Sequence, residues 1–103
     1  MIYDSFTYTV LVTLENLGFC GPGEGPDFVR SQRTAPGGEF PLNTNGGGLS
    51  YTHPGMYGIF TVVEAARQLR GQAGDRQLDK CNLALAHGTG GLLSSTGTVV
   101  LGT

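Results

Sequence analysis

Three consecutive glycines, Gly46 to Gly48, lie inside the stretch NTNGGGLSYTHPG that runs from Asn43 to Gly55. Glycine loses more backbone freedom on folding than any other residue. A glycine triplet therefore belongs where the chain needs positive φ or where backbone must pass close to another group. A loop of this kind holds a ligand or frames a reactive side chain, and His53 followed by Pro54 stands directly behind it. The rest of the chain has to supply the scaffold that carries this loop.

With 103 residues the chain is one domain. Its core is thin, because a chain near this length buries only roughly 60 to 70% of the surface its unfolded form exposes. Charged residues make up only 14% and the net charge is −2, so no basic patch exists to hold a phosphate backbone and nucleic-acid binding is excluded as a function class. No apolar run reaches the roughly 18 residues a membrane span needs, and the N-terminus lacks the basic segment of a secretory leader. The expected location is the cytoplasm. Cys20 and Cys81 fit no zinc-ligand spacing and are expected to be reduced. Cys20, in a glycine-rich turn, is a candidate to lie near a site. Eighteen glycines combined with so little charge read as a piece whose surfaces are covered by more protein, and hence as part of an oligomer.

Phe6, Val10, Leu14 and Leu17 recur at helical spacing and predict a helix over 5–17, capped by Asp4 or Ser5 and stopped by Gly18. The segment 18–42 is punctuated by Gly and Pro and predicts an irregular excursion, with a short strand near Phe40 to Asn43. His53-Pro54 is expected to open a second helix in which Ile59, Val63, Ala66 and Leu69 share a face and Gly71 is the stop. Asn82–Ala86 and Thr96–Leu101 read as buried strands between glycine turns. Helices alternating with buried strands argue for an α/β layer structure. On this reading His53 sits at a helix N-terminus, where the dipole disfavours the protonated imidazole and suits it to act as a neutral base or oxyanion donor.

The pattern Asn, two residues, Gly-Gly, five residues, His-Pro resembles the thiolase signature, with Asn43, Gly46, Gly47, His53 and Pro54 at the matching positions. Gly55 follows Pro54 directly and Gly58 closes a shortened turn, a departure similar to the sterol-carrier or lipid-transfer branch of the superfamily. "YDSF", Tyr3 to Phe6, looks like the Asn-Glu-x-Phe motif of thiolases or its His-Asp-Cys-Phe variant, matching at Asp4 and Phe6. "ALAHGTGG", Ala84 to Gly91, looks like the terminal Cys-x-Gly-Gly turn, with the cysteine position falling on Ala86 or, after a one-residue slip, on His87.

The resemblance implies an α/β fold that is an incomplete C-terminal half of the thiolase fold, a layered αβα unit with a mixed sheet. The family's first strand and helix of that half, and its entire N-terminal half, would lie outside residues 1–103. Alone, such a piece is expected to be marginally stable and inactive. The catalytic residues implied are His53, Tyr3, Tyr51 and His87, with His87 also open to a purely local turn role. Asp4, Asn43, Gly46, Gly47 and Gly88 are expected to bind substrate. The substrate class is an acyl-CoA, with coenzyme A as part of the substrate and no other cofactor and no metal. An N-terminal thiolase half or second subunit would complete the fold, and branch members also pair with a small OB-fold, zinc-ribbon protein.

Three functions stay open at this point. Neither the acyl-carrying cysteine nor the proton-moving cysteine of thiolases has a counterpart here, which favours retro-aldol cleavage of a β-hydroxyacyl-CoA, as in the lipid-transfer-protein aldolases of steroid side-chain degradation that also carry Tyr-Asp-x-Phe. Ser5 cannot replace a thiolate, since its hydroxyl pKa is far too high without a partner. A phenol at Tyr3 or Tyr51 near His53 can instead take a hydroxyl proton or donate to an oxyanion. The alternatives are thiolase-type acyl transfer to CoA and a non-catalytic fragment that binds acyl-CoA or lipid.

Overall fold

The computed structural model describes residues 1–103. In chain order it contains α1 (Thr7–Asn16), the short α2 (Gly25–Phe28), a 3₁₀ turn at Arg30–Gln32, α3 (Gly58–Leu69), a second 3₁₀ turn at Gly74–Arg76, and two strands, β1 (Leu83–Gly90) and β2 (Ser95–Gly102). Both long helices stop as the glycine positions predict. Gly18 takes φ +80°, its amide donates to Glu15 O, and the Phe19 amide donates to Leu14 O. Gly71 at φ +66° repeats the arrangement with Gln68 O and, through Gln72, with Arg67 O. These paired bonds satisfy carbonyls that a helix end would otherwise leave orphaned.

β1 and β2 pair antiparallel, with Leu83 opposite Gly102 and His87 opposite Thr98. On the other edge of β1 the first three residues run parallel to it. The Met1 nitrogen donates to Leu85 O, the His87 amide to Met1 O, and the Tyr3 amide to His87 O, each within 2.9 Å. Ile2 and His87 thus form a parallel bridge, and β1 has one parallel and one antiparallel neighbour, a mixed sheet in miniature. The structure is consistent with a partial α/β unit of the implied kind. The small apolar core joins Ile2, Leu14 and Phe28, with Val10, Leu17, Phe40 and Leu85 packed around it. Phe28 and Phe40 meet edge to face with centroids 5.1 Å apart.

Four expectations need correction. The first helix begins at Thr7 with Phe6 as its N-cap and no side-chain cap; Asp4 and Ser5 are committed elsewhere, Asp4 to loop amides and Ser5 to the Thr9 hydroxyl. No strand forms at Phe40–Asn43, because the amides of Phe40 and Leu42 bond back to Arg33 O and Thr34 O in the adjoining loop. His53-Pro54 does not open the second helix. Met56 takes φ +58°, a left-handed turn that helix geometry forbids, so α3 starts only at Gly58. Finally, β2 is not buried: it has one strand neighbour, and Val100 is 57% exposed.

The face that α3 buries is also not the one its apolar spacing suggests. Thr61, Glu64, Ala65 and Gln68 are buried, whereas Ile59, Phe60 and Val63 are exposed. A carboxylate can be buried only if it is paired and hydrogen-bonded, and Glu64 is. Its Oε1 accepts from Thr44 Oγ1 at 2.8 Å and from Arg76 Nε at 2.9 Å, and its Oε2 accepts from Arg76 Nη2 at 2.9 Å. No helix is long and apolar enough to cross a membrane.

Candidate functional site

Asn43 is the hinge of the glycine loop. It sits in the left-handed region at φ 48°, which asparagine tolerates better than most residues. Its side chain clamps the Ile2 peptide on both sides: Oδ1 accepts from Ile2 N at 2.8 Å and Nδ2 donates to Ile2 O at 2.9 Å. Two residues on, Asp4 is buried with its carboxylate turned into the loop, where Oδ1 accepts from Gly48 N at 2.8 Å and Oδ2 from Leu49 N at 3.1 Å. The segment Ile2–Asp4 and the loop Asn43–Leu49 are thereby stitched together from both ends. This also explains the glycines. Gly46 and Gly47 take φ +97° and +72°, and a Cβ on Gly47 would run into the Asp4 carboxylate. Gly47→Ala is therefore expected to cost at least about 1–3 kcal/mol from backbone strain, with the clash on top. The check is a urea titration, in which a midpoint as high as that of the unsubstituted chain would contradict this account of the loop.

The stitching leaves the Tyr3 phenol on the far side of the segment from Ile2, facing His53. Tyr3 Oη lies 3.4 Å from His53 Nε2, with ring centroids 6.0 Å apart. The Tyr3 ring is braced from below by Tyr57 at 5.5 Å, which in turn packs on Phe60 at 5.5 Å. Tyr57 is 3% exposed and its hydroxyl has no partner; burial pushes its phenol well above the ordinary range, so it stays neutral. Tyr3, His53 and Tyr57 line an open cleft of about 850 Å³, whose other wall is Ala86, Gly88 and Gly90 of β1, the turn residue Gly91 and Ser95 at the start of β2. β1 and α3 meet at Gly88 and Gly58, where a Cβ on Gly88 would stand in ordinary contact, 3.4 Å from Gly58 Cα.

Of the residues singled out from the sequence, Tyr3, His53 and Gly88 meet in this cleft. Asp4, Asn43 and Gly47 instead build the loop behind it. Tyr51 does not line the cleft; it is half exposed, and its hydroxyl accepts from Asn45 Nδ2 at 3.2 Å. His87 points to the opposite face of β1, where its Nδ1 and the Thr98 hydroxyl are 2.8 Å apart and Thr89 Oγ1 stands 3.4 Å from Nε2. Burial pushes the His87 imidazole below its ordinary value, so it is neutral at pH 7. The helix-dipole argument for His53 lapses with the start of α3 at Gly58; what addresses its imidazole is the Tyr3 hydroxyl.

No thiol enters the cleft. Cys20 packs against the apolar core, and burial together with the Glu15 and Glu24 carboxylates pushes its thiol up, away from the reactive thiolate. Cys81 lines a separate apolar cavity of about 450 Å³. Both are free, as the sequence reading expects. Where the family turn would carry its cysteine, the residue of this chain that faces the cleft is Ala86, with a methyl group. The sequence reading missed Tyr57 and the Thr44–Glu64–Arg76 group. The second had a signal: Thr61, Glu64, Ala65 and Gln68 repeat at helical spacing as regularly as the apolar stripe does.

A family model described as thiolase C-terminal domain-like matches residues 1–103. Among curated proteins, a steroid side-chain-cleaving aldolase of Thermomonospora curvata is 44% identical over 90 residues, covering 87% of this chain and 22% of the aldolase. A 17-hydroxy-3-oxo-4-pregnene-20-carboxyl-CoA lyase of Mycobacterium tuberculosis is 44% identical over 71 residues, 69% of this chain and 18% of the lyase. An acetyl-CoA acetyltransferase of Methanothermobacter thermautotrophicus is 35% identical over 91 residues, 87% of this chain and 24% of that enzyme. The chain thus spans about a fifth of the length of these relatives.

Proposed function

This chain belongs to the thiolase C-terminal domain-like family, and from that premise we propose that it is the C-terminal catalytic segment of an acyl-CoA enzyme that cleaves a carbon–carbon bond β to a thioester, by retro-aldol reaction of a β-hydroxyacyl-CoA. The observation that carries the reading is the pairing of the Tyr3 hydroxyl with His53 Nε2 at 3.4 Å in a cleft where Ala86 presents a methyl and no thiol is within reach. Claisen chemistry of the thiolase kind needs thiols to carry the acyl group and move the proton. Retro-aldol cleavage needs neither.

The reaction balances with the groups present. The substrate β-hydroxyl gives its proton to the Tyr3 oxygen as the phenol's own proton passes to His53 Nε2, which requires the neutral imidazole with its proton on Nδ1. The Cβ–O bond becomes a carbonyl, the Cα–Cβ bond breaks, and its electron pair moves through Cα onto the thioester oxygen as an enolate. Return of the proton to Cα releases the shortened acyl-CoA and a ketone or aldehyde. No oxidant or metal takes part. A hydrogen bond as long as 3.4 Å suits a resting site that tightens when substrate fills it. The names of the lyase and the aldolase among the relatives point the same way, and a steroid acyl-CoA is the substrate class they suggest.

The rest of the active enzyme, on this reading, comes from an N-terminal thiolase half, in the same or another chain. The test is to assemble residues 1–103 with such a half and supply a β-hydroxyacyl-CoA and, separately, a β-ketoacyl-CoA with free CoA. Release of ketone or aldehyde from the hydroxy substrate is the expected outcome. CoA-dependent cleavage of the keto substrate alone would replace this reading with acyl transfer, the reaction class of the acetyltransferase relative. Tight acyl-CoA binding with neither reaction would leave a binding segment.

A further inference from the structure

The glycine loop is held from the front by Ile2 and Asp4, but it is also held from behind. The Thr44 hydroxyl donates to Glu64 Oε1 at 2.8 Å and accepts from Gln68 Nε2 at 3.1 Å. Glu64 is 2% exposed, and its second oxygen is occupied by Arg76. Gln68 is buried too, with its amide tied to Arg76 O and to the Leu78 amide. A carboxylate in such surroundings is locked in place, because any rotation would strand a buried charge. Thr44 is the loop's attachment to that lock, and it directly follows Asn43, the residue that clamps Ile2 from a left-handed backbone conformation. Tyr3 follows Ile2.

We propose that Glu64, acting through Thr44, is a positioning residue for the cleft: by fixing the Asn43 clamp on Ile2 it sets the Tyr3 hydroxyl against His53 Nε2. The proposal rests on the carbon–carbon cleavage reading, since Tyr3 and His53 are the groups it positions. Catalytic groups displaced by even an ångström lose much of their rate, and although Gly58, Thr61 and Val62 of α3 line the cleft, Thr44, Glu64, Gln68 and Arg76 do not. A role in placement therefore shows in turnover and not in substrate affinity.

Thr44→Val removes the link while leaving Glu64 its bonds to Arg76 and Gln68, and Thr44→Ser restores the hydroxyl. In the protein assembled with an N-terminal half, Thr44→Val is expected to lower kcat for β-hydroxyacyl-CoA cleavage about tenfold, with KM and the thermal midpoint little changed, and Thr44→Ser to recover it. Unchanged kcat in Thr44→Val overturns the proposal. So does a loss that follows the thermal midpoint and is not recovered by serine. Amide exchange separates this from failure of the reaction itself. If the unsubstituted protein cleaves nothing, faster exchange of the Ile2 amide in Thr44→Val still upholds the positioning link, and equal exchange sinks it.

Discussion

Tyr3→Phe is expected to lower kcat/KM for β-hydroxyacyl-CoA cleavage by about a hundredfold to ten-thousandfold, the range that a positioned proton-transfer group contributes. The substitution deletes one oxygen and keeps the ring, so the packing against Tyr57 at 5.5 Å survives, as do the main-chain bonds that hold Tyr3 beside His87. What disappears is the group 3.4 Å from His53 Nε2. The imidazole alone would then have to reach the substrate hydroxyl across the space the phenol occupied. Tyr51→Phe is the matched control, since that hydroxyl faces Asn45 in the glycine loop and lies outside the cleft. It should leave kcat/KM near the unsubstituted value. Steady-state kinetics of the two variants decide the matter: a Tyr3→Phe enzyme within a few-fold of normal, or a Tyr51→Phe enzyme as damaged as Tyr3→Phe, would remove Tyr3 from the mechanism proposed here.

The contrast between the two tyrosines marks the limit of what the linear pattern carries. Spacing along the chain placed Tyr51 two residues from His53 and Tyr3 fifty away, yet it is Tyr3 that meets the imidazole. The clamp responsible, Asn43 on the Ile2 peptide, is a long-range contact that no local periodicity encodes. What was local was legible: both glycine stops and the existence of both long helices and both strands. The start of α3 was misplaced because Pro at a first helical turn is a good signal only when the following residues stay right-handed, and Met56 does not.

Burial was misread for a different reason. Apolar periodicity predicts an apolar buried face, whereas the face of α3 buried within residues 1–103 is polar and Ile59 and Val63 are exposed. The expectation of a buried β2 fails too, at a strand with one strand neighbour where Val100 is 57% exposed. The His87 reading stayed open in sequence because the cysteine position of the family turn could fall on either of two residues. Strand alternation resolves which of them faces the cleft: Ala86 does, and His87 turns to Thr98.

Arg76→Ala is expected to be among the most destabilising single substitutions in the chain, and its effect should depend on pH in a stated direction. The pair is asymmetric. Glu64 is buried, whereas the Arg76 side chain is 40% exposed, so removing the glutamate frees an arginine that water can receive, but removing the arginine strands a carboxylate that water cannot reach. Breaking a buried pair from that side costs about 3–5 kcal/mol, and the lower end applies here because Thr44 and Gln68 still donate to the carboxylate. Burial alone would raise the Glu64 carboxyl; Arg76, Thr44 and Gln68 outweigh it and hold the group below the ordinary value of 4.5. In the unsubstituted chain this contributes stability that is fully present above pH 4.5 and is lost as pH falls through the lower folded value. Without Arg76, burial is opposed by fewer donors and the folded carboxyl rises, so the folded state of the variant takes up a proton more readily than before. Acid therefore penalises the unsubstituted chain more than the variant, and the stability gap between them should narrow as pH falls through 4.5 and below. Urea titrations of both proteins from pH 7 down through that range measure the gap directly. A difference at pH 7 below about 1 kcal/mol, the level of an ordinary surface pair, or one that does not change with pH, would show that the Glu64 carboxylate does not depend on Arg76 for its charge.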